Sequence, residues 1–355
     1  MTIGLDGSRA FSGLRTGAEN YSYQLLKALA KIDHVNNYLV YLRFGSSVGK
    51  WPANFKFITL NWRRFWTQGG LALQTFKDDL DVLFVPAHTL PILRKPNLKT
   101  VMTVHDLGVE YLPQFHQLKQ EIYLKYITKY QLKSATKLIA VSKATKEDLV
   151  KRAGINLKKI NVVYEGFDKE LFKPTKADRL VNSLMPYYLF VGTIQPRKNL
   201  LRIITAFSKL GEGNLVIAGL RGWLSDDIYA LPRKLGIEDK VKFLGYVPDE
   251  KLPALYCGAQ ALLFCSLFEG FGLPILEAQS VGCPVITSNV SSMPEVAGKG
   301  AIYVDPYSIQ SIADGMIKIM NRDLRLKLKD LGFKNIKRFS WEKCAKETLE
   351  ILENI

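Results

Sequence analysis

Residues 265–284 have the sequence CSLFEGFGLPILEAQSVGCP. The apolar residues just before this stretch, Ala261 to Phe264, predict a buried strand. Pro274 suits the start of a helix, where the missing N–H of proline costs nothing. The stretch is therefore predicted to be a strand, a glycine turn and a helix N-terminus, with Glu269 in the turn and Glu277 about one turn into the helix.

This arrangement suits a nucleotide that carries a sugar. A helix N-terminus presents N–H groups and a partial positive charge, and both favour a phosphate. The two carboxylates are acceptors for hydroxyl groups. An ordinary strand-to-helix turn with two solvated glutamates fits the same residues, so the spacing alone leaves both interpretations open.

The alternation of short apolar strands with helical patterns recurs along the whole chain. Strands are predicted at 3–6, 38–44, 55–60, 82–86, 100–104, 137–141, 160–164, 187–191, 215–218, 241–244, 261–264, 285–287 and 301–304. Near-continuous apolar strands that alternate with helices favour parallel sheets covered on both faces. We therefore predict an α/β fold with two Rossmann-like domains facing a cleft. The predicted domains are 1–175 and 176–338, and a last helix at 339–355 is expected to pack back on the first domain.

Length and composition set broad limits on the class of protein. The chain has 355 residues, of which 47% are hydrophobic, enough for two domains with sizeable cores. The N-terminus is too short and polar for a signal peptide, and no apolar run is long enough to span a membrane, so a cytosolic protein is expected. The four cysteines form no C-x-x-C pair. The carboxylate pairs Asp78-Asp79 and Asp226-Asp227 fit solvated surface better than a metal site, so we predict no essential metal.

The charge is strongly basic and uneven. The formal net charge is +16, and residues 1–175 contain 26 Lys and Arg against 14 Asp and Glu. A surface of this kind suits nucleic acid or an anionic membrane, although a basic surface with no partner is also consistent. Five lysines, four of them at a spacing of four residues, predict a basic helical face within 117–137: Lys119, Lys125, Lys129, Lys133 and Lys137.

An unusual aromatic cluster lies at Trp62-Arg63-Arg64-Phe65-Trp66. Aromatic rings interleaved with arginines can lie at a lipid interface or stack on bases. A partly buried aromatic cluster with solvated arginines is the alternative. The cluster is therefore a candidate membrane contact in the more basic half of the chain.

Polar residues at strand ends supply the other site candidates. His105 follows the strand at 100–104, and ligands of parallel sheets bind beyond the carboxyl ends of the strands, although a histidine that caps local backbone is equally consistent. Arg197 and Lys198 follow the strand at 187–191, where two cations and helix amides could hold a pyrophosphate. The G-x-G-x-x-G fingerprint is absent, so a hydride-transfer cofactor is not favoured.

Four segments of the second half resemble the retaining nucleotide-sugar glycosyltransferases of family 4, which have the GT-B fold. They are Phe190–Leu200, Phe243–Glu250, Glu269–Glu277 and Pro284–Val296. The first half resembles the same family more loosely, through Thr16-Gly17, His105-Asp106 and Val141-Ser142. The family includes many bacterial mannosyl- and glucosyltransferases, so the resemblance implies the GT-B architecture and a role in cell-envelope polysaccharide biosynthesis.

The resemblance also implies a role for each candidate residue. Arg197 and Lys198 would bind the donor pyrophosphate and neutralise charge on the leaving nucleoside diphosphate. Glu277 would accept hydrogen bonds from the ribose, and Glu269 and His105 would contact the donor sugar. The remaining donor contacts are expected at Gly17, Thr193, Tyr246, Val247, Phe271, Gly272 and Leu273.

We therefore expect a retaining hexosyltransferase that needs no cofactor. Its donor would be a GDP- or UDP-linked sugar, with mannose as one candidate, and its acceptor a glycan or a lipid-linked molecule. The expected location is cytoplasmic, at the inner face of an anionic membrane, with no nucleic-acid partner. The alternatives are a nucleotide-sugar epimerase or a phosphorylase of the same fold, and a non-enzymatic nucleic-acid-binding protein.

Overall fold

The computed structural model describes residues 1–11, 17–44, 48–87, 89–107, 127–176 and 179–355. The chain divides into two compact units. The N-terminal unit comprises Met1–Gly166 and Phe339–Ile355, and the C-terminal unit comprises Phe167–Arg338. Three residues named in the sequence analysis, Thr16, Lys119 and Lys125, lie outside the described residues.

The described part of the N-terminal unit contains a seven-stranded parallel sheet with the order β3-β2-β1-β4-β5-β6-β7. The strands are β1 (Thr2–Asp6), β2 (Asn37–Arg43), β3 (Phe55–Leu60), β4 (Val82–Val85), β5 (Lys99–Val104), β6 (Lys137–Ala140) and β7 (Ile160–Val162). The helices are Gly17–Ile32, Ala72–Lys77, 127–134, Lys143–Lys151 and Trp341–Glu353, with a π-helical turn at Trp66–Leu71 and a 3₁₀ turn at Leu157–Lys159.

The C-terminal unit contains a six-stranded parallel sheet, across its described residues, with the order β10-β9-β8-β11-β12-β13. The strands are β8 (Tyr187–Val191), β9 (Asn214–Ala218), β10 (Val241–Gly245), β11 (Leu262–Phe264), β12 (Val285–Ser288) and β13 (Ala301–Val304). The α-helices are Arg179–Leu184, Leu200–Ser208, Asp226–Lys234, Leu252–Gly258, Leu273–Ser280, Met293–Ala297, Ile309–Lys318 and Arg322–Asn335, and the 3₁₀ turns are Pro196–Lys198, Asp249–Lys251 and Ile336–Arg338.

Both sheets have the strand order of a Rossmann fold, which confirms the predicted fold class of two Rossmann-like domains. The order reverses between β1 and β4 in the first sheet and between β8 and β11 in the second. In open parallel sheets, ligands bind in the crevice at the carboxyl ends of the strands beside such a reversal. The topology therefore marks the segments that follow β8 and β11 as candidate ligand-binding segments.

Four inner strands are buried along their whole length, as the near-continuous apolar runs predict. Every residue of β4, β8, β11 and β12 is buried. Each fully buried Val, Leu, Ile or Phe contributes roughly 1.5–3 kcal/mol relative to an exposed side chain. The first helix also buries the face that its sequence predicts. Tyr21, Leu25 and Leu29 recur every four residues and are all buried.

The last helix belongs to the N-terminal unit and packs on the first helix of that unit. The Trp341 ring lies 5.9 Å, centroid to centroid, from the Tyr21 ring, and Asn36 Nδ2 donates to Glu353 Oε1 at 2.9 Å. Ser340 Oγ caps this helix by accepting from Lys343 N. Gly166 leaves no space for a side chain here, since a Cβ on it would lie 2.1 Å from Trp341 N.

Two predicted boundaries differ from the observed ones. The units separate at Gly166 rather than at 175, and Phe172, beyond the break, is buried against Tyr256 of the C-terminal unit. The lysine-rich helix is seen over 127–134, where Lys129 and Lys133 are exposed. Lys137 is not on that helix, because the chain has already entered β6.

Candidate functional site

The segments after β8 and β11 meet at the strand-order reversal of the C-terminal sheet. β8 leads into the 3₁₀ turn Pro196–Lys198, and β11 leads into the turn that contains Glu269. Leu267 N donates to Arg197 O at 3.0 Å, so the backbone joins the two segments directly. The predicted turns are thus brought together although they are about seventy residues apart in sequence.

Glu269 lies between the two predicted cations. Arg197 Nη1 is 2.6 Å from Glu269 Oε2, and Lys198 Nζ is 2.6 Å from Glu269 Oε1. Burial by itself would raise the pKa of Glu269, but Arg197 and Lys198 outweigh it and lower the pKa to about 2. One carboxylate balances only one of two cations, so the three side chains together carry a net positive charge. We call them the Arg197–Lys198–Glu269 cluster.

Two serines after β12 hold the backbone of the Glu269 turn. Ser291 Oγ donates to Glu269 O at 2.6 Å, and Ser292 Oγ lies 2.9 Å from Glu269 O and 2.6 Å from Phe271 O. Both serines fall in a segment that carries the family resemblance, but the sequence assigned them no role. Their position after the strand next to β11 was the signal that could have identified them.

The helix Leu273–Ser280 begins directly after this turn. Gly272 precedes it with φ 124°, a conformation that favours glycine, and Pro274 is the second helical residue. Phe271 is buried, whereas Gly272 and Leu273 are partly exposed. The helix N-terminus therefore lies at the same sheet edge as the Arg197–Lys198–Glu269 cluster.

Glu277 lies on this helix and contacts a tyrosine that sequence reasoning missed. Tyr256 Oη donates to Glu277 Oε2 at 2.8 Å. Burial raises the pKa of Glu277 to about 7, and Asp249 adds to the effect despite the hydrogen bond from Tyr256. Among the described residues, Glu277 thus accepts from a tyrosine hydroxyl, whereas Glu269 contacts two cations.

The remaining predicted donor residues lie after β8 and β10. Gly219, just after β9, packs against both segments. A Cβ on Gly219 would lie 1.9 Å from Gly192 O, and Gly219 N donates to Gly245 O at 2.8 Å. Thr193 is partly exposed beside Gly192. Tyr246 is 54% exposed just after β10, and Val247 is partly buried.

His105 and Gly17 belong to the N-terminal unit. His105 follows β5, and its ring contacts Glu165 and the carbonyl of Pro86. Gly17 begins the first helix, and a Cβ on it would meet no atom within 4 Å among the described residues, its chain neighbours and the nearby backbone of its own helix aside. The other ten predicted site residues belong to the C-terminal unit.

Across the described residues, no three His, Cys, Asp or Glu side chains are grouped so that they could hold a metal ion. Over the same part of the chain, no helix is both long and apolar enough to cross a membrane.

Comparison with protein families gives matches to both halves of the chain. Residues 163–338 match the family described as glycosyl transferases group 1, and residues 15–171 match Glycosyltransferase Family 4. The O-antigen chain mannosyltransferase B of Escherichia coli is 30% identical over 263 residues, which cover 71% of this chain and 69% of that protein. The O-antigen chain mannosyltransferase RfbU of Salmonella typhimurium is 32% identical over 220 residues, which cover 62% of this chain and 59% of that protein.

Solved structures share the fold over the full length of the chain. Sucrose-phosphate synthase from Thermosynechococcus elongatus superposes with a TM-score of 0.82 at 19% identity, covering 99% of this chain and 98% of that structure. Anabaena Alr3699/HepE, in complex with UDP and glucose, superposes with a TM-score of 0.74 at 19% identity, covering 100% and 99%. At these identities the likeness supports the two-domain fold alone.

Proposed function

This chain belongs to the family 4 glycosyltransferases of the GT-B fold, and we propose that it transfers a mannosyl residue from a nucleoside diphosphate to a glycan or lipid-linked acceptor. The observation that carries the proposal is the Arg197–Lys198–Glu269 cluster at the reversal of strand order. Mannose is favoured because two of the relatives are named O-antigen chain mannosyltransferases. Their names also favour polysaccharide biosynthesis as the process served.

The cluster suits the electrostatic demands of sugar transfer. Cleavage of the bond between the anomeric carbon and the phosphate oxygen leaves negative charge on the diphosphate. Arg197 and Lys198 would stabilise that charge, together with the N–H groups at the start of the Leu273–Ser280 helix. Because Glu269 has a pKa of about 2, it stays ionised at neutral pH and can accept hydrogen bonds from the sugar hydroxyls.

We propose retention of the anomeric configuration, as the family resemblance implies. The acceptor oxygen would bond to the anomeric carbon on the face from which the diphosphate leaves, and its proton would pass to the departing phosphate oxygen. Glu277 would accept from the ribose hydroxyls, and His105 would contact the donor sugar. The two O-antigen relatives are both named mannosyltransferases. Their names favour sugar transfer over epimerisation, phosphorolysis or nucleic-acid binding.

Thermal-shift measurements with GDP, UDP, ADP and their sugars test this proposal. A nucleotide sugar at 100 times its Kd should stabilise the folded state by about 2.7 kcal/mol, which raises Tm. The same series in EDTA tests the expectation that no metal is essential. We expect a GDP- or UDP-linked sugar to raise Tm and to be consumed when acceptor is present. No shift with any nucleotide would contradict the proposal, and turnover that EDTA abolishes and Mg²⁺ restores would contradict metal independence.

We also propose that the N-terminal unit contacts an anionic membrane surface through the cluster at residues 62–66. Trp66 is buried and donates through Nε1 to Leu42 O, which fixes one end of the cluster. Phe65 is 78% exposed and Trp62 is 43% exposed, with the exposed Arg63 and Arg64 between them. Exposed aromatic rings beside arginines combine apolar and electrostatic attraction to anionic lipid.

Co-sedimentation with vesicles tests the membrane contact. Binding is expected with phosphatidylserine vesicles, and it should weaken at high salt because salt screens charges over about 10 Å at 0.1 M. Phe65→Ser should weaken binding several-fold, whereas Tyr307→Ser, at a 62% exposed aromatic of the C-terminal unit, should leave it unchanged. Equal binding to neutral vesicles, or no effect of Phe65→Ser, would contradict the proposal.

A further inference from the structure

Both ring nitrogens of His105 face hydrogen-bond acceptors. Nδ1 lies 3.3 Å from Glu165 Oε1, and Nε2 lies 3.0 Å from the carbonyl oxygen of Pro86. A neutral imidazole has a single N–H, and a backbone carbonyl can only accept. Both contacts are therefore N–H donations only if the ring is doubly protonated. The other arrangement would need a protonated Glu165 that donates to Nδ1.

We propose that Glu165 is a positioning residue that holds His105 as an imidazolium, with one N–H directed at the Glu165 carboxylate and the other at Pro86 O. In this state His105 carries a positive charge, both of its N–H groups are donated within the protein, and the ring is not a proton acceptor. Any effect of this charge on sugar transfer rests on the proposed function. The protonation state of His105 beside Glu165 does not depend on it.

The surroundings of the pair favour the charged form. Burial lowers the pKa of His105, but Glu165, the Pro86 carbonyl and Asp106 outweigh it, so the pKa is raised above 6.5. Tyr21, from the first helix, presents its ring edge-on at 4.7 Å, and burial raises its pKa well above 10. Burial also raises the pKa of Cys344, from the last helix, so both groups stay neutral at pH 7.

Close packing holds the backbone next to Glu165. Glu165 is buried, and the next residue, Gly166, is packed so closely that a Cβ would lie 2.1 Å from Trp341 N. Pro86 directly follows β4, at the strand-order reversal of the N-terminal sheet. The pair is thus held between two elements of one unit, which suits a residue that must keep a single orientation.

The charged pair predicts the direction of the pH dependence. A histidine whose pKa is raised keeps its proton at neutral pH and loses it as the pH rises through that pKa. If transfer uses the imidazolium, kcat/KM should fall on the alkaline side with the same pKa. Removing the charge of Glu165 should move that limb to lower pH.

NMR of protein labelled with ¹⁵N-histidine tests the pair directly, and a His105→Gln spectrum assigns the signals among the four histidines. Both ring nitrogens of His105 should be protonated at pH 7 in the wild type. Glu165→Gln keeps the shape but removes the charge, and should lower the His105 pKa by about one unit or more. Glu165→Asp should restore part of the shift. Glu147→Gln, at an exposed glutamate of the same unit paired with Lys151, should leave it unchanged.

A neutral His105 ring in the wild type at pH 7, or an unchanged titration in Glu165→Gln, would overturn the proposal. If Glu165→Gln fails to fold, the ¹⁵N shifts of wild-type His105 at pH 7 decide whether both ring nitrogens are protonated. A parallel shift of the alkaline limb of kcat/KM would support the positioning role, and an unmoved limb would overturn it. A charged pair in a protein that transfers no sugar from any donor would contradict the proposed function and still support the ion pair.

Discussion

Replacing Lys198 with alanine is expected to lower kcat about 100- to 1,000-fold, the usual cost of removing one group that stabilises charge in a transition state. Lys198 Nζ is held 2.6 Å from Glu269 Oε1 and lies 5.1 Å from the centre of the Phe264 ring, so the cation is confined to one place. The charge on the diphosphate grows as the glycosidic bond breaks. The loss in kcat should therefore exceed the loss in donor affinity.

The same substitution reduces the net charge of the Arg197–Lys198–Glu269 cluster from positive to neutral. Donor binding should weaken for this reason, although less than turnover does. Lys198→Met is the companion variant, because it keeps the aliphatic stem of a side chain that is 11% exposed. Lys209→Ala, at an exposed lysine of the same unit, is the control and should keep full activity. Wild-type kcat in both Lys198 variants would exclude the proposed site.

The strands were predictable because parallel strands buried on both faces are nearly continuous apolar runs. The bounds of β3, β8 and β13 coincide with the predicted ones, and the Rossmann strand order agrees with the predicted fold class. The four-residue spacing of the lysines wrongly placed Lys137 on the helix. Lysines every four residues suggest one helical face, but this spacing does not show where the helix ends, and the strand begins at that residue.

The charged residues of the site were predictable, but several of their partners were not. Arg197, Lys198 and Glu269 follow apolar strands, and both the strand-end rule and the family resemblance mark them. Tyr256 lies within an apolar helix, where a tyrosine suggests core packing, and its bond to Glu277 depends on how two helices pack. Glu165 follows a predicted strand, as His105 does, so the strand-end rule could have marked it too.

Replacing Glu277 with glutamine is expected to stabilise the unliganded protein at pH 8 while weakening donor binding. Burial gives Glu277 a folded pKa of about 7, above the ordinary value of 4.5. A raised carboxyl pKa means that ionisation opposes folding, so this group lowers the free energy of unfolding as the pH rises from about 4.5 to about 7. Glutamine removes that cost, which is roughly 1–3 kcal/mol.

Thermal unfolding of both proteins between pH 4 and pH 8 measures the stability effect. The Tm of Glu277→Gln should exceed the wild-type Tm at pH 8 and approach it near pH 4.5, where the wild-type carboxyl is already protonated. Glu250→Gln, at an exposed residue of the 3₁₀ turn Asp249–Lys251, should show no such pH-dependent difference. A lower Tm for Glu277→Gln at pH 8 would contradict the prediction.

Glu277→Gln should bind the donor more weakly than the wild type, although it is expected to be more stable at pH 8. A carboxylate can accept from two ribose hydroxyls, whereas glutamine offers one acceptor oxygen. Losing a hydrogen bond to a charged group costs about 1.5–3 kcal/mol, which corresponds to a roughly 10- to 100-fold higher donor Kd. The Tyr256 hydroxyl can still donate to the glutamine oxygen, so a purely structural role for Glu277 predicts no change in Kd. A Glu277→Gln protein with a higher Tm at pH 8 and a higher donor Kd would show that the Glu277 carboxylate contributes to donor binding while lowering the stability of the unliganded protein.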